Sequence, residues 1–415
     1  MTSEEARERG SGGDPILIPT GLPWDDGRWA CAALHTAGYE AWMVGGCVRD
    51  LLLGRPVHDI DIATSAHPEQ VAACFERTLE VGKAFGVMIA LHPSGRQIEI
   101  ATFRTDGLYV DGRRPSSVAF ATAVQDVHRR DFTINALLLD PQTGILADHV
   151  GGQADLRDRL IRVIDGPQRL AEDRLRVLRA VRFAAHLDFT IETGTWEALI
   201  ATSLAGLAHE RIWQEIDKGL SYAPAAWCRM LCAADLAPQV FGGWSLGSTA
   251  SERLERLAVP EPVVALALLL DDVPSAALWP WLTAEPLPRE RLQRLRWLRE
   301  AAEILRSAPT LALRRRLLRH PDALSLKIYL KARQEVPEID AWFSQEQGVV
   351  VTPWLRPQEL IALGVPPGPA LGRLLRELED AQLDGSVTNG EQAEARVRSV
   401  LHSALASPHP ALPER

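Results

Sequence analysis

Asp59 and Asp61 stand one residue apart in the alternating run Val57-His58-Asp59-Ile60-Asp61-Ile62. Along a strand, residues i and i+2 point to the same face. The pattern therefore predicts that Ile60 and Ile62 are buried and that both acids project from the other side. Two like charges on one rigid face repel unless a cation lies between them. A hard cation such as Mg²⁺ takes oxygen ligands, usually one or two carboxylates completed by substrate phosphates. An exposed strand with two solvated acids would carry the same pair, so the surrounding residues decide. Upstream, Gly45-Gly46 separates a predicted strand, Tyr39 to Val44, from a predicted helix, Val48 to Leu53. Backbone N–H groups at such a turn can face phosphate, and glycine permits close approach. Arg49, on the first helical turn, adds a charged fork for the same phosphates.

The elements that must hold these groups follow from periodicity. Asp25 to Ala37 reads as a helix capped by Asp25 or Asp26, and Thr64 to Glu80 as a helix with Pro68 near its start. Val87 to Leu91 and Gln97 to Phe103 read as strands joined by the turn signal at 92–96. Ile98 and Ile100 then share one face and Glu99 the other, which makes Glu99 a third carboxylate beside Asp59 and Asp61. Arg104 to Phe120 is rich in Gly, Asp, Pro and Arg, with Arg104, Arg113 and Arg114, and reads as a long binding loop. Asp131 is placed to cap a helix starting at Phe132, which leaves Arg129 and Arg130 at the mouth of that turn. Asp148 to Asp165 closes this first region.

Beyond Gly166-Pro167 no strand pattern follows. Ala171 to Leu187 reads as one amphipathic helix with Leu175, Leu178, Val181 and Ala185 as its apolar stripe. Glu172, Asp173, Arg176 and Arg179 lie elsewhere on it, and Arg176 is within helical reach of both acids. His209 to Leu220 repeats the amphipathic pattern. Arg289 to Arg299 and Leu313 to Arg319 are basic helical stretches, the best candidates for a nucleic-acid track, with Trp297 placed to stack or to pack.

A chain of 415 residues suggests two to four domains, and a net charge of −9 argues against a generally sticky nucleic-acid binder while leaving room for a local basic groove. Val263 to Leu270, the longest apolar run, is far short of the roughly 20 residues of a membrane span, and the first 25 residues lack the apolar core of a secretory signal. The five cysteines include no C-x-x-C pair, Cys228 and Cys232 read as two buried helix thiols, and a reducing cytoplasm fits. The 11 histidines show no metal-ligand spacing, which argues against a zinc hydrolase.

A phosphate-facing glycine turn, paired carboxylates, a third strand acid and arginines on later elements describe nucleotidyl transfer. In that chemistry two Mg²⁺ ions held by Asp59 and Asp61 activate an attacking hydroxyl and stabilise departing pyrophosphate. At this point the residues match a family. Gly45-Gly46-Cys-Val-Arg49-Asp50 followed by Asp59-Ile-Asp61 resembles the signature of the tRNA nucleotidyltransferase and bacterial poly(A) polymerase family, the class II CCA-adding group. The likeness continues through Ile98-Glu99 to Arg104, Arg113-Arg114-Pro, Arg129-Arg130-Asp131-Phe-Thr-Ile-Asn135 and Gly151-Gly152 to Asp155, Ile161 and Arg162. It then runs through Glu172-Asp173, Arg176, Arg179 and Arg182, and His209-Glu210-Arg211 with Glu215. His209 departs from the small hydroxyl residue usual in that motif.

The resemblance implies an α+β fold: a polymerase-beta-like nucleotidyltransferase head at 25–165 after a leader at 1–24. A helical neck at 166–222, body at 223–345 and tail at 346–415 would follow. It implies that Gly45, Gly46 and Arg49 contact the triphosphate, with Asp131 and Asn135 in the same nucleotide-binding set. Arg129 or Arg130 would contact sugar or phosphates. Asp173 and Arg176 would read the base, with Glu172 in the same nucleotide-binding set and Arg179 and Arg182 supporting it or reaching the phosphates. It implies Mg²⁺ as cofactor, CTP, ATP and the 3′ end and elbow of tRNA as partners, a monomer or homodimer, and a cytoplasmic protein free of membrane. Addition of C, C and A to tRNA is the expected activity. Poly(A) tailing and A-only addition on the same scaffold are the alternatives. A non-catalytic RNA-binding relative would be expected to lack the acid pair.

Overall fold

Short apolar runs in the first part of the chain assemble into one seven-stranded sheet of order β3-β4-β5-β2-β1-β8-β9. The structure, a computed structural model, describes residues 14–82, 85–106, 118–346 and 352–406. In chain order the elements are α1 (Trp24–Thr36), β1 (Ala41–Val44), α2 (Gly46–Leu52), β2 (Asp61–Thr64), α3 (Pro68–Cys74), β3 (Thr78–Gly82), β4 (Val87–Leu91) and β5 (Gln97–Thr102). A hairpin of β6 (Arg104–Asp106) and β7 (Val118–Phe120) follows, then α4 (Ala123–His128), a 3₁₀ turn at Thr133–Asn135, β8 (Leu138–Leu139), β9 (Leu146–Ala147), α5 (Gly152–Arg157) and β10 (Leu160–Ile161). Next come α6 (Arg169–Glu172), α7 (Leu175–Leu187), β11 (Thr190–Ile191), α8 (Thr193–Ala201), α9 (His209–Tyr222) and α10 (Pro224–Ala233), and the described remainder is helical.

Each face of the sheet is read from alternation. Met43 and Ile62 are buried toward α1, where Gly27 lets the helix come so close that an added Cβ would lie 2.9 Å from Ile60 Cγ2. Trp42, Val44, Ala63 and Phe103 face the other way, against Ala123, Val127, Ala136, Leu138 and Ile164. Asp61 lies two residues before Ala63, so it extends that second face past the apolar core. The parallel register of β2 and β5 sets Asp61 opposite Glu99, and the antiparallel register of β1 and β2 sets it opposite Val44.

Several expectations are corrected. β2 starts at Asp61, so Asp59 precedes the strand, although Ile60 and Ile62 are buried as the alternation requires. The segment read as a helix to Glu80 ends in β3, because the helix stops at Cys74 and an extended residue, Phe75, follows. No side chain caps α1: Asp25 accepts from the Gly21 N–H at 3.0 Å, and Asp26 is bound by Arg96 at 2.6 Å. Phe132 opens a 3₁₀ turn, not an α-helix, while the true helix, α4, ends just before Arg129. The expected loop at 104–120 is partly the β6–β7 hairpin; Arg113 and Arg114 lie outside the described residues. The two-residue strand β11 pairs with β10 beyond Gly166, where no strand was expected. Cys228 is buried but Cys232 is exposed.

The described chain divides into two compact units: residues to Gly247 with Ala284–Pro286, and Ser248–Thr283 with Leu287 onward. In the second unit the basic helices are laced by acids. Arg294 binds Asp322 at 2.7 Å, Arg315 binds Glu346 at 2.7 Å, and Arg316 binds Asp380 at 2.7 Å. Trp297 stacks on His320 with centroids 3.8 Å apart. Much of the basic charge expected of a nucleic-acid track is therefore neutralised locally. No described helix is long and apolar enough to cross a membrane.

One glycine ties α5 to the turn that carries Asn135. A Cβ on Gly152 would lie 2.3 Å from the Thr133 carbonyl oxygen, a backbone atom that cannot swing aside. Gly152→Ala should therefore destabilise the first unit by about 1–3 kcal/mol, read as a lower urea midpoint of its unfolding transition.

Candidate functional site

Val44 ends β1 opposite Asp61, so the chain must turn at the level of the acid. Gly45 makes that turn at φ +77°, and a Cβ there would lie 3.7 Å from Asp61 Oδ2 and 3.8 Å from an Arg130 guanidinium nitrogen. Positive φ is costly for other residues, so glycine at this close approach has a backbone reason. The α2 helix begins at once with Gly46, two residues before the expected start at Val48.

Asp59, Asp61 and Glu99 are all solvent-accessible, and none makes an ion pair among the described residues. Asp61 keeps an open edge but is recessed among sheet and turn atoms. That crowding first, then Glu99 and Asp59, raise its pKa to about 6, with Arg130 acting in the opposite sense. Carboxylates that repel one another in this way are a fitting seat for a divalent cation. No group of three or more His, Cys, Asp or Glu side chains among the described residues closes a full metal cage. An acid pair completed by substrate oxygens is the arrangement the residues support.

Facing the acids is a cleft of about 530 Å³, into which Gly45, Gly46, Arg49, Asp61, Arg129, Arg130, Asp131 and Asn135 open from the sheet side. Asp173, Arg176, Arg179 and Arg211 close it from the helices, with Phe183 at its base. Thus eleven of the fifteen sequence-selected residues meet in one cavity. Glu172 and Arg182 do not line it, and Asp59 and Glu99 border the acid cluster outside it.

The arginines are held, each by a named partner. Arg49 is buried, with its guanidinium on Asp50 at 2.8 Å and on Asn135 Oδ1 at 2.6 Å, 5.1 Å from the Phe183 ring centre. Arg129 and Arg130 both grip Asp126, at 2.8 and 2.9 Å. Asp126 is almost wholly buried; burial would raise its pKa, but the two arginines outweigh that and lower it. Asp126 was missed in the sequence. Its signal was helical spacing to both arginines, concealed because α4 is too short to announce itself.

The expected single helix from Ala171 is broken. α6 ends at Glu172, Asp173 is extended at φ −126°, ψ 94°, and α7 starts at Leu175. The pairings differ accordingly: Glu172 binds Arg169, and Asp173 is held by Arg211 at 3.2 Å. Arg176 donates to the carbonyls of Arg169 and Arg129 at 3.0 and 2.9 Å. The break turns Asp173 into the cleft, where a helical residue would have been committed to the helix surface. Arg182 is buried against Glu215 at 2.5 Å and lies 4.1 Å from the Phe183 centroid, so it supports the wall from behind. Arg179 reaches the cleft and holds Asp131 at 2.7 Å.

Asp131 joins the two walls. Its other oxygen accepts from Asn135 Nδ2 at 3.1 Å and from the Phe132 N–H at 2.7 Å. Burial alone would raise its pKa; the Arg179 charge and these hydrogen bonds prevail and bring it to about 2.

Comparison with known proteins identifies relatives of the chain. Residues 41–162 match the family model described as the poly A polymerase head domain. The chain is 34% identical over 380 residues to a CCA-adding enzyme of Geobacillus stearothermophilus, spanning 89% of this chain and 85% of that one. It is 37% identical over 385 residues to a CCA-adding enzyme of Streptococcus sanguinis, spanning 87% and 93%. The crystal structure of the Bacillus stearothermophilus CCA-adding enzyme in complex with CTP superposes with a TM-score of 0.76 at 28% identity, covering 93% of this chain and 99% of that one.

A carboxylate with a depressed pKa contributes stability above its unfolded value, near 4, that is lost as pH falls through its folded value, about 2. Asp131→Asn should therefore cost on the order of 2 kcal/mol at pH 7. The gap to wild type in urea titrations should stay constant down to about pH 4 and narrow below it.

Proposed function

The chain belongs to the CCA-adding enzymes, and from that membership we propose that it extends the 3′ end of tRNA with C and A residues, without a template, using CTP and ATP and releasing pyrophosphate. The observation that carries the reading is the single cleft in which the acid edge, the glycine turn and the Asp173–Arg176 wall face one another. Members of this family generally use a divalent metal, and we assign Mg²⁺. Asp59 and Asp61 would hold it, with Glu99 flanking Asp61 across the β2–β5 register. When bound, the metal supplies Lewis-acid activation of the hydroxyl and charge neutralisation on the departing phosphates.

The protein's own residues do the rest. Gly45 and Gly46 bring backbone to the triphosphate, and Arg49, Arg130 and Arg179 give it a cationic wall. Arg129 and Arg130 stay aimed because Asp126 fixes both, which favours orientation over capture. Asn135 and Asp131 lie at the sugar end of this wall. Asp173 and Arg176 choose the base. Cytosine and adenine each offer an amino donor beside a ring-nitrogen acceptor, a match for one carboxylate and one guanidinium. Uracil and guanine offer a carbonyl beside an N–H, which leaves groups unpaired on both sides. Arg211 and two backbone carbonyls hold the reading pair rigid, so it cannot swivel to suit the wrong base. Glu172 and Arg182 act as supports. A tRNA-modifying enzyme of this kind works in the cytoplasm.

Incubating the protein with tRNA that ends at the discriminator base and labelled CTP and ATP should give products three nucleotides longer. A long ladder of A residues would instead mark a poly(A) polymerase. The several kcal/mol supplied by metal coordination correspond to a loss of about 10³-fold or more in incorporation for Asp59→Ala; wild-type rates in that variant would sink the metal assignment. Asp173→Ala should cut discrimination of CTP over UTP by about 10²-fold while the fold, read by circular dichroism, is kept.

A further inference from the structure

Asp173, assigned above to the base, is aimed from another element. Its Oδ1 accepts from the Leu175 N–H at 3.2 Å, and its two oxygens accept from the Arg211 guanidinium at 3.3 and 3.2 Å. Arg211 stands in the first turn of α9, so the placement of that turn sets the placement of Asp173. No side chain caps the turn: the N-cap is Ala208, which offers no acceptor to the free N–H groups.

Glu285 supplies the missing anchor. Its Oε2 accepts from His209 Nδ1 at 2.7 Å and from Trp213 Nε1 at 2.8 Å. These donors are four residues apart and so share one face of α9. Arg211 lies two residues from each, which at roughly 100° per residue turns it away from both, toward the opposite face. Glu285 thus grips one side of the turn while Asp173 receives the arginine on the other. The contact is shielded, since the Glu285 side chain is 6% exposed and Trp213 is buried. A carboxylate beside a helix N-terminus also meets the partial positive charge gathered there. Glu285 comes from far along the chain: Ala284–Pro286 groups with the first unit, whereas the chain on both sides of it belongs to the second.

We propose that Glu285 is a positioning residue for nucleotide selection. By holding His209 and Trp213 it fixes the first turn of α9, and through Arg211 it keeps Asp173 in the orientation that reads the base. Glu285 does not line the cleft, so it acts through the helix. The inference rests on the base-reading role proposed above and names a residue on which that role depends.

Single-nucleotide incorporation into tRNA lacking its terminal CCA, with kcat and KM measured separately for CTP and UTP, tests this. An anchor acting at one remove should matter less than Asp173 itself: Glu285→Ala should cut discrimination of CTP over UTP by about tenfold, and His209→Ala by about threefold. Glu285→Gln keeps an acceptor oxygen for both donors and should stay within about twofold of wild type. Added to Asp173→Ala, Glu285→Ala should bring no further loss of discrimination, because the residue it positions is gone. The His209 side chain is 64% exposed, so His209→Ala keeps the fold and decides the matter if Glu285→Ala does not fold. Wild-type discrimination in His209→Ala or in folded Glu285→Ala overturns the proposal. So does an equal fall in kcat/KM for both nucleotides, a Gln variant as impaired as the Ala variant, or a further loss in the double variant. Asp173→Ala separates the two possible failures. If it discriminates as wild type does, the base-reading assignment falls and the proposal with it. If it loses discrimination while Glu285→Ala keeps it, the positioning role alone falls.

Discussion

The head sheet and the helices behind the cleft are joined through a chain of hydrogen bonds and ion pairs centred on Asp131. From Asp50 it runs through Arg49, Asn135, Asp131, Arg179 and Glu215 to Arg182, with spacings of 2.5–3.9 Å. Burying such charges is costly unless each is paired, and removing one member of a buried pair typically costs about 3–5 kcal/mol. Pairing alone is a weak source of net stability. Its value lies in fixing geometry: planar guanidinium forks accept few orientations, so the residues on the sheet side of the cleft and those on its helical side share one frame. Phe183 completes that frame, its ring lying within 5.4 Å of three guanidinium carbons.

Much of the site was legible because its residues obey period-two rules. Ile98, Glu99 and Ile100 alternate in burial as written, and the glycine turn falls where a strand meets a helix. Asp59 was legible as a partner of Asp61 but not as a residue outside the strand, since alternation continues through the residues leading into β2. The helix predicted through Glu80 failed for a related reason. Thr78 to Gly82 is an exposed edge strand with no buried alternation, and a propensity pattern cannot distinguish it from a helix tail.

The break at Asp173 was the hardest feature to see. Ala171 to Leu187 carries an unbroken helical apolar stripe, and Leu175, Leu178, Val181 and Ala185 are all buried. Nothing in that stripe marks the residue that leaves the helix. Tertiary contacts do so: Arg211 from α9 draws Asp173 away, and the carbonyls of Arg169 and Arg129 take Arg176. The local i,i+3 and i,i+4 pairs expected from sequence are worth only about 0.2–0.5 kcal/mol each, so partners from other elements prevail easily.

The two halves of the site therefore have different physical characters. At the acids, repulsion is left unresolved, and Asp61 holds its proton up to about pH 6. At the proposed base-reading wall, Asp173 and Asp131 are each paired with an arginine, and Arg176 donates to two backbone carbonyls. An unsatisfied cluster of acids draws a cation and, through it, any nucleoside triphosphate. A satisfied and rigid wall cannot adapt, so under the proposed assignment it would distinguish bases by the hydrogen bonds they fail to make. On the proposed function, selection without a template requires that second property, and the Asp131 chain would supply it by tying Asp173 and Arg176 to the framework that holds Arg49 and Arg179.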